Sequence, residues 1–207
     1  MENILGLAIV LAVLFSPVIF LIVYFIRRDS ATQKKLQSLS CEAEKEQCEL
    51  NCFVVSKEIV LYKNLYGIQK FLVDDKTKKF GIFAFDMKKK MASLQVWTYA
   101  SLLDFNLFED GNKMLPGRGL TAAAGALLFG TTGAIIGSVA GGKKIEEICN
   151  RMTIQIKVND LENPLISIDL LSGPYSKEGS VYQDAKKTSD QIIATLTYIE
   201  SNKNASL

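Results

Sequence analysis

The sequence predicts an α+β protein. It has an N-terminal transmembrane helix, a mostly antiparallel β domain with a Gly-rich helical hairpin inserted in it, and a closing C-terminal helix. Three observations predict this. Residues 4–26 are 23 uncharged positions, 17 of them Ile, Leu, Val or Phe. Between residues 56 and 170, short β-rich runs alternate with polar turns. Residues 120–140 form a second uncharged stretch, 21 residues long, in which small residues recur every four positions.

The first run is long enough to cross a bilayer, which takes about 20 apolar residues. Pro17 is tolerated in such a helix, because neighbouring groups in lipid absorb one proline. A cleaved signal peptide would need a basic start, whereas the chain begins Met1-Glu2-Asn3 and no small-x-small cleavage site follows the run. Arg27, Arg28, Lys34 and Lys35 follow the run and no basic side chain precedes it. The positive-inside rule then places the C-terminal side in the cytoplasm, in a single-pass protein of the cell membrane.

Residues 29–55 read as a juxtamembrane helix, with Ser30 and Gln33 matching a capping box. Cys41, Cys48 and Cys52 fall at i, i+7 and i+11, close to one face. Metal binding would want closer pairs or a fourth ligand, a disulfide would want an oxidising compartment, and palmitoylation would want proximity to the membrane. Small apolar side chains on a packing face are the simplest reading.

The β domain and its closing helix are expected over residues 56–202, with 203–207 as a tail. Strands are predicted at 69–73, 80–85, 94–99 and 104–109, separated by turns at 74–79 and 86–90 and ended by Asp110-Gly111-Asn112. Ile154, Ile156 and Val158 alternate with polar residues, as do Ile166, Ile168 and Leu170, so residues 159–164 read as a hairpin loop. Gly173-Pro174 punctuates. Val181, Ala185, Ile192, Leu196 and Ile199 mark one face of a helix over 180–201.

The insertion spans residues 117–144. Gly133, Gly137 and Gly141 share one helix face, as do Ala122, Ala126 and Gly130, and small residues at this spacing let backbones approach closely. Only 7 of residues 120–140 are Leu, Ile, Val or Phe, and Phe129-Gly130-Thr131-Thr132-Gly133 reads as a break. A hairpin that returns to its starting side fits this composition. The alternative is a second transmembrane helix that oligomerises through its glycines. Residues 143–207 supply only two clear strands and one helix, too little to form a core alone. Joining them to the strands before residue 110 favours the hairpin.

Several antiparallel strands followed by one amphipathic helix resemble the bacterial pleckstrin-homology-like (PH-like) β-barrel. The run Tyr99-Ala-Ser-Leu-Leu-Asp-Phe-Asn-Leu-Phe-Glu-Asp-Gly111, the Gly-rich segment and Ile154-Gln-Ile-Lys-Val-Asn-Asp160 are similar to a pattern in uncharacterised bacterial PH-like proteins with a glycine-zipper insertion. The resemblance covers about residues 57–200 and implies a fold rather than an activity.

The chain has no His and a net charge of +2. Cys-His and Ser-His catalysis are excluded, and no strong global field draws nucleic acid. Residues 137–144 nearly fit a P-loop, but Lys144 stands where a Ser or Thr should bind magnesium, and no buried strand leads into the loop. Asp86, Asp104, Glu109 and Asp110 show no spacing that would set up acid–base work. No cofactor, metal or catalytic residue is expected, and the chain reads as a non-enzymatic interaction module. Lys78, Lys79, Lys88, Lys89 and Lys90 sit in two turns able to face anionic lipid. Trp97, Phe80, Phe83 and Phe85 are expected in the core. The partners expected are the lipid bilayer, a second copy of the chain, or a protein.

Overall fold

The computed structural model describes residues 2–113 and 147–203, with residues 2–23, 26 and 112–113 described by their backbone alone. The six small residues singled out from Ala122 to Gly141, and the near P-loop, lie outside the described residues. Among the described residues no helix is long and apolar enough to cross a membrane. The span expected at 4–26 falls almost wholly on positions whose side chains lie outside that description.

Helix α1 (Glu2–Leu50) runs without interruption. Ser30 is therefore an interior helix residue and not a cap: the amides that a cap would satisfy already bond to carbonyls one turn earlier. Thr32 Oγ1 likewise donates to the Arg28 carbonyl at 2.9 Å. Beyond α1 the strands are β1 (Lys57–Lys63), β2 (Gly67–Asp74), β3 (Lys79–Asp86) and β4 (Met91–Thr98). A 3-10 turn (Tyr99–Ser101) leads into β5 (Leu102–Glu109) and the two-residue β6 (Asn112–Lys113). After the insertion come β7 (Ile148–Val158), β8 (Leu165–Ser176) and the closing helix α2 (Ser180–Asn202).

The strands form two antiparallel four-stranded sheets, ordered β1-β2-β3-β4 and β6-β5-β7-β8. No ladder joins the two sheets among the described residues, so the expected barrel is not closed. The chain leaves the first sheet through the 3-10 turn. Helix α2 fills the open side: Ile192, Leu196 and Ile199 are fully buried in one cluster with residues of both sheets, including Phe71, Phe80, Ile154 and Ile156. Apolar surface is thus removed from water by a helix instead of by ring closure. Phe80 stacks between Phe71 and Trp97, with ring centroids 6.0 and 5.8 Å apart, and Phe80, Phe83, Phe85 and Trp97 are buried as expected.

The face of α2 departs from the expectation by one residue, since Tyr182 is buried and Val181 exposed. Gly173-Pro174 does not end a strand either. Strand β8 continues to Ser176 through a register shift opposite Cys149 and Arg151, with Gly173 at φ +126°. β8 lies at the edge of its sheet, where proline's missing N–H costs no ladder bond.

A second apolar cluster lies on the other face of the first sheet. Leu36, Ser40, Glu44 and Cys48 of α1 are buried at a spacing of four. Leu36 and Cys48 pack with Ile68, Leu72, Phe83, Phe85 and Leu94. Cys41 is exposed because it falls off this stripe, and Cys52 is exposed beyond the end of the helix, so Cys48 is the one α1 cysteine that joins the packing face. Lys70 Nζ, between Glu44 Oε2 at 2.8 Å and Glu58 Oε2 at 2.9 Å, ties α1 to the sheet.

Candidate functional site

Among the described residues a recess opens at the mouth of the first sheet. Its floor is one cross-strand row, Tyr62–Gln69–Ala84–Ser93, set by the registers of β1, β2, β3 and β4. Ala84 and Ser93 of this row carry small side chains, which leaves a cleft of about 570 Å³. Its rim is built from the β1–β2 and β3–β4 turns and holds Tyr66, Lys88, Lys89 and Met91.

Each turn is shaped by one side chain. Asn64 Oδ1 accepts from the amides of Tyr66 and Gly67 at 2.8 and 2.7 Å, and its amide nitrogen donates to Tyr62 Oη. Asp86 Oδ1 accepts from the amides of Lys88 and Lys89 at 2.9 and 3.1 Å. Lys90, at φ +52°, closes the second turn. The Lys88 ammonium stands 4.2 Å from the Tyr66 ring centroid, a cation–π contact that holds it over the mouth. Lys88, Lys89 and Lys90 are exposed, and among the described residues no carboxylate pairs with them. Tyr62, Tyr66 and Met91 add exposed apolar surface to the same rim.

The other lysine turn is at the opposite end of β3, and Lys78 and Lys79 are engaged there. Lys78 Nζ bonds Asp75 Oδ1 at 2.9 Å and lies 5.6 Å from the Tyr99 ring centroid. The hydrogen bond to Asp75 raises the Lys78 ammonium above its ordinary range. Asp75 also accepts from the hydroxyls of Tyr99 and Tyr198, pinning the end of α2. The Lys78 bond first, with those hydroxyls, lowers its carboxyl. Lys79 Nζ lies 3.4 Å from the carbonyls of Asn51 and Cys52, just past the last turn of α1.

The carboxylates considered as a catalytic group are dispersed. Asp86 shapes its turn, and Asp110 Oδ1 accepts from the amides of Asn150 and Arg151. Glu109 is buried, with Lys177 Nζ 2.5 Å from Oε1 and the Tyr182 hydroxyl donating to Oε2 at 3.3 Å. Burial, then the Glu109 charge, pushes the Tyr182 phenol up to about 12. Burial and Glu44 raise the Cys48 thiol, which keeps it protonated. Among the described residues no three His, Cys, Asp or Glu side chains gather as a metal site.

Sequence reasoning named the lysines of the mouth but missed Tyr62, Tyr66, Gln69 and Ser93. The one local signal was Asn64 three residues before Gly67, a turn signature that draws β1 and β2 together.

Two antiparallel sheets closed by a C-terminal helix, with an open mouth at one end, define a PH-like domain. The chain belongs to the family described as glycine zipper containing PH domain, whose profile matches residues 57–172, more than half of the chain. No curated protein and no solved structure matches it significantly. PH-like domains are generally non-catalytic binding modules, and the family's description names a glycine zipper alongside the PH domain.

Proposed function

We propose that this protein is a membrane-anchored, non-enzymatic interaction module. Residues 4–26 anchor it in the cell membrane, the PH-like domain lies in the cytoplasm, and Lys88, Lys89 and Lys90 meet the anionic lipid of that same membrane. Lys78 and Lys79 have a structural part in this reading. The observation that carries it is the position of the turn of Lys88, Lys89 and Lys90, which no described carboxylate pairs, at the end of the domain where α1 arrives: Gln33 Nε2 reaches the Asn64 carbonyl of the β1–β2 turn at 3.5 Å.

The glycine-zipper segment serves self-association or membrane contact. What supports a segment that returns to its starting side is that its flanking strands are ladder neighbours, β5 with β7 from Leu102↔Val158 to Glu109↔Met152. One crossing would part these strands across the membrane. Two full crossings need about 40 residues, and residues 114–146 are 33.

Each lysine near an anionic surface contributes about 1 kcal/mol. The test places an environment-sensitive fluorophore at Met91 in the full chain, reconstituted with headgroup-quencher lipids. Quenching should be strong in anionic vesicles and weak in neutral ones. It should fall in Lys88→Glu/Lys89→Glu/Lys90→Glu and persist in Lys76→Glu. Equal quenching in both lipid mixtures, or indifference to the triple reversal, would refute the reading.

A further inference from the structure

We infer that the C-terminal half of α1 is a rigid strut that sets the height of the lysine turn above the bilayer. This rests on the anchoring proposed above. A flexible tether would let the domain sample many heights, and the structure has none of the features of a tether between residues 27 and 50. The helix is unbroken there, and its buried stripe recurs at every fourth residue from Leu36 to Cys48.

Contacts hold both ends of this half-helix. Gln33 meets the β1–β2 turn, and the carbonyls of Asn51 and Cys52 meet Lys79 at the β2–β3 turn. From residue 33 to 51 a helix advances about 27 Å. The eight residues of β3 span about 26 Å. The helix is therefore fastened near both ends of the first sheet. The Glu44–Lys70–Glu58 bridge sits between the two ends and resists sliding.

The other length that matters is from the end of the apolar run to the first contact with the domain. Residues 26 to 33 advance about 10 Å along the helix. That is close to the Debye length of about 8 Å at physiological salt. The lysine turn is thus held where the surface potential still acts, and two further helical turns would carry it out of range.

The test inserts seven helix-forming residues between Arg28 and Asp29 of the full chain in anionic vesicles. A second variant inserts a Gly-Ser segment of the same length. Spin labels introduced through non-natural amino acids at Arg27 and Lys89 report the distance, and the Met91 fluorophore reports lipid contact. In the unmodified chain the strut gives one narrow distance distribution. The helical insertion should lengthen it by about 10 Å without broadening and abolish quenching. The Gly-Ser insertion should broaden it and keep part of the quenching. A broad distribution in the unmodified chain, or a helical insertion that leaves the distance unchanged, would overturn the strut. If the distances behave as expected while Met91 is never quenched, the strut stands and the lipid-facing reading fails.

Discussion

Leu36→Ala tests whether α1 belongs to the domain. Leu36 is fully buried in the cluster that joins α1 to the first sheet. Truncating such a leucine costs about 2–5 kcal/mol, from lost transfer energy and the cavity left behind. Alanine is the better helix former, but the difference recovers only a few tenths of a kcal/mol. We expect about 3 kcal/mol, which is roughly a hundredfold in an opening equilibrium. The core between the sheets does not contain Leu36, so the loss should appear as undocking of α1 and not as global unfolding. Hydrogen exchange on the full chain in nanodiscs is the assay. Amides of residues 33–50 should lose protection by about two orders of magnitude, while those of β7 and the centre of α2 should not change. Unchanged protection in α1 would show that the helix is not held by this cluster. Equal loss throughout would show a single cooperative unit in place of a docked helix.

Other expectations follow from single sites. Asp74 is fully buried and accepts from the Val54 amide at 2.8 Å and from the Thr77 amide and hydroxyl at 2.9 and 2.6 Å. Burial raises its carboxyl, but these bonds outweigh burial and leave it lowered, so its contribution is present above an ordinary carboxyl pKa of about 4 and disappears as pH falls through the lower folded value. Asp74→Asn should cost about 1–3 kcal/mol at pH 7, and urea melts of the two proteins should converge in acid. Burial lowers the Lys70 ammonium, but its bonds to Glu44 and Glu58 outweigh burial and raise it. Its contribution is therefore complete below about pH 10.4 and lost as pH rises through the folded value; exchange protection of α1 should fall over that alkaline range, and in Lys70→Met it should be low at every pH. At Gly81 an added Cβ would lie 2.5 Å from the Gln95 carbonyl oxygen, a backbone atom that cannot swing aside. Gly81→Ala should cost about 1–3 kcal/mol, read as a lower thermal midpoint; an unchanged midpoint would mean β3 and β4 part more easily than their ladder implies.

Much of the fold was legible in the chain, because periodicity records which side of an element faces the core. Ile154, Ile156 and Val158 alternate and are all buried, and Ile192, Leu196 and Ile199 repeat with helical spacing and are fully buried. These are local patterns of hydrophobicity, and burial of apolar area enforces them wherever the element lies. The joining of the segments before residue 110 to those after 143 was also legible, since neither could form a core alone; β5 and β7 make that join.

Tertiary structure decided what depends on residues far apart in the chain. Two lysine-rich turns look alike in sequence, yet Asp75 and the end of α1 engage Lys78 and Lys79, whereas Lys88, Lys89 and Lys90 stand open. The cleft floor joins Tyr62, Gln69, Ala84 and Ser93 from four strands, an arrangement that only register sets. Beyond residue 26, helix α1 carries polar residues on most of its surface, so the strength of its docking could not be read from composition. It depends on the first sheet presenting Leu72, Phe83 and Leu94 on the face away from α2, and on Lys70 standing opposite Glu44. A side chain's own chemistry is local, but what pairs with it and how much water it loses are properties of the whole fold.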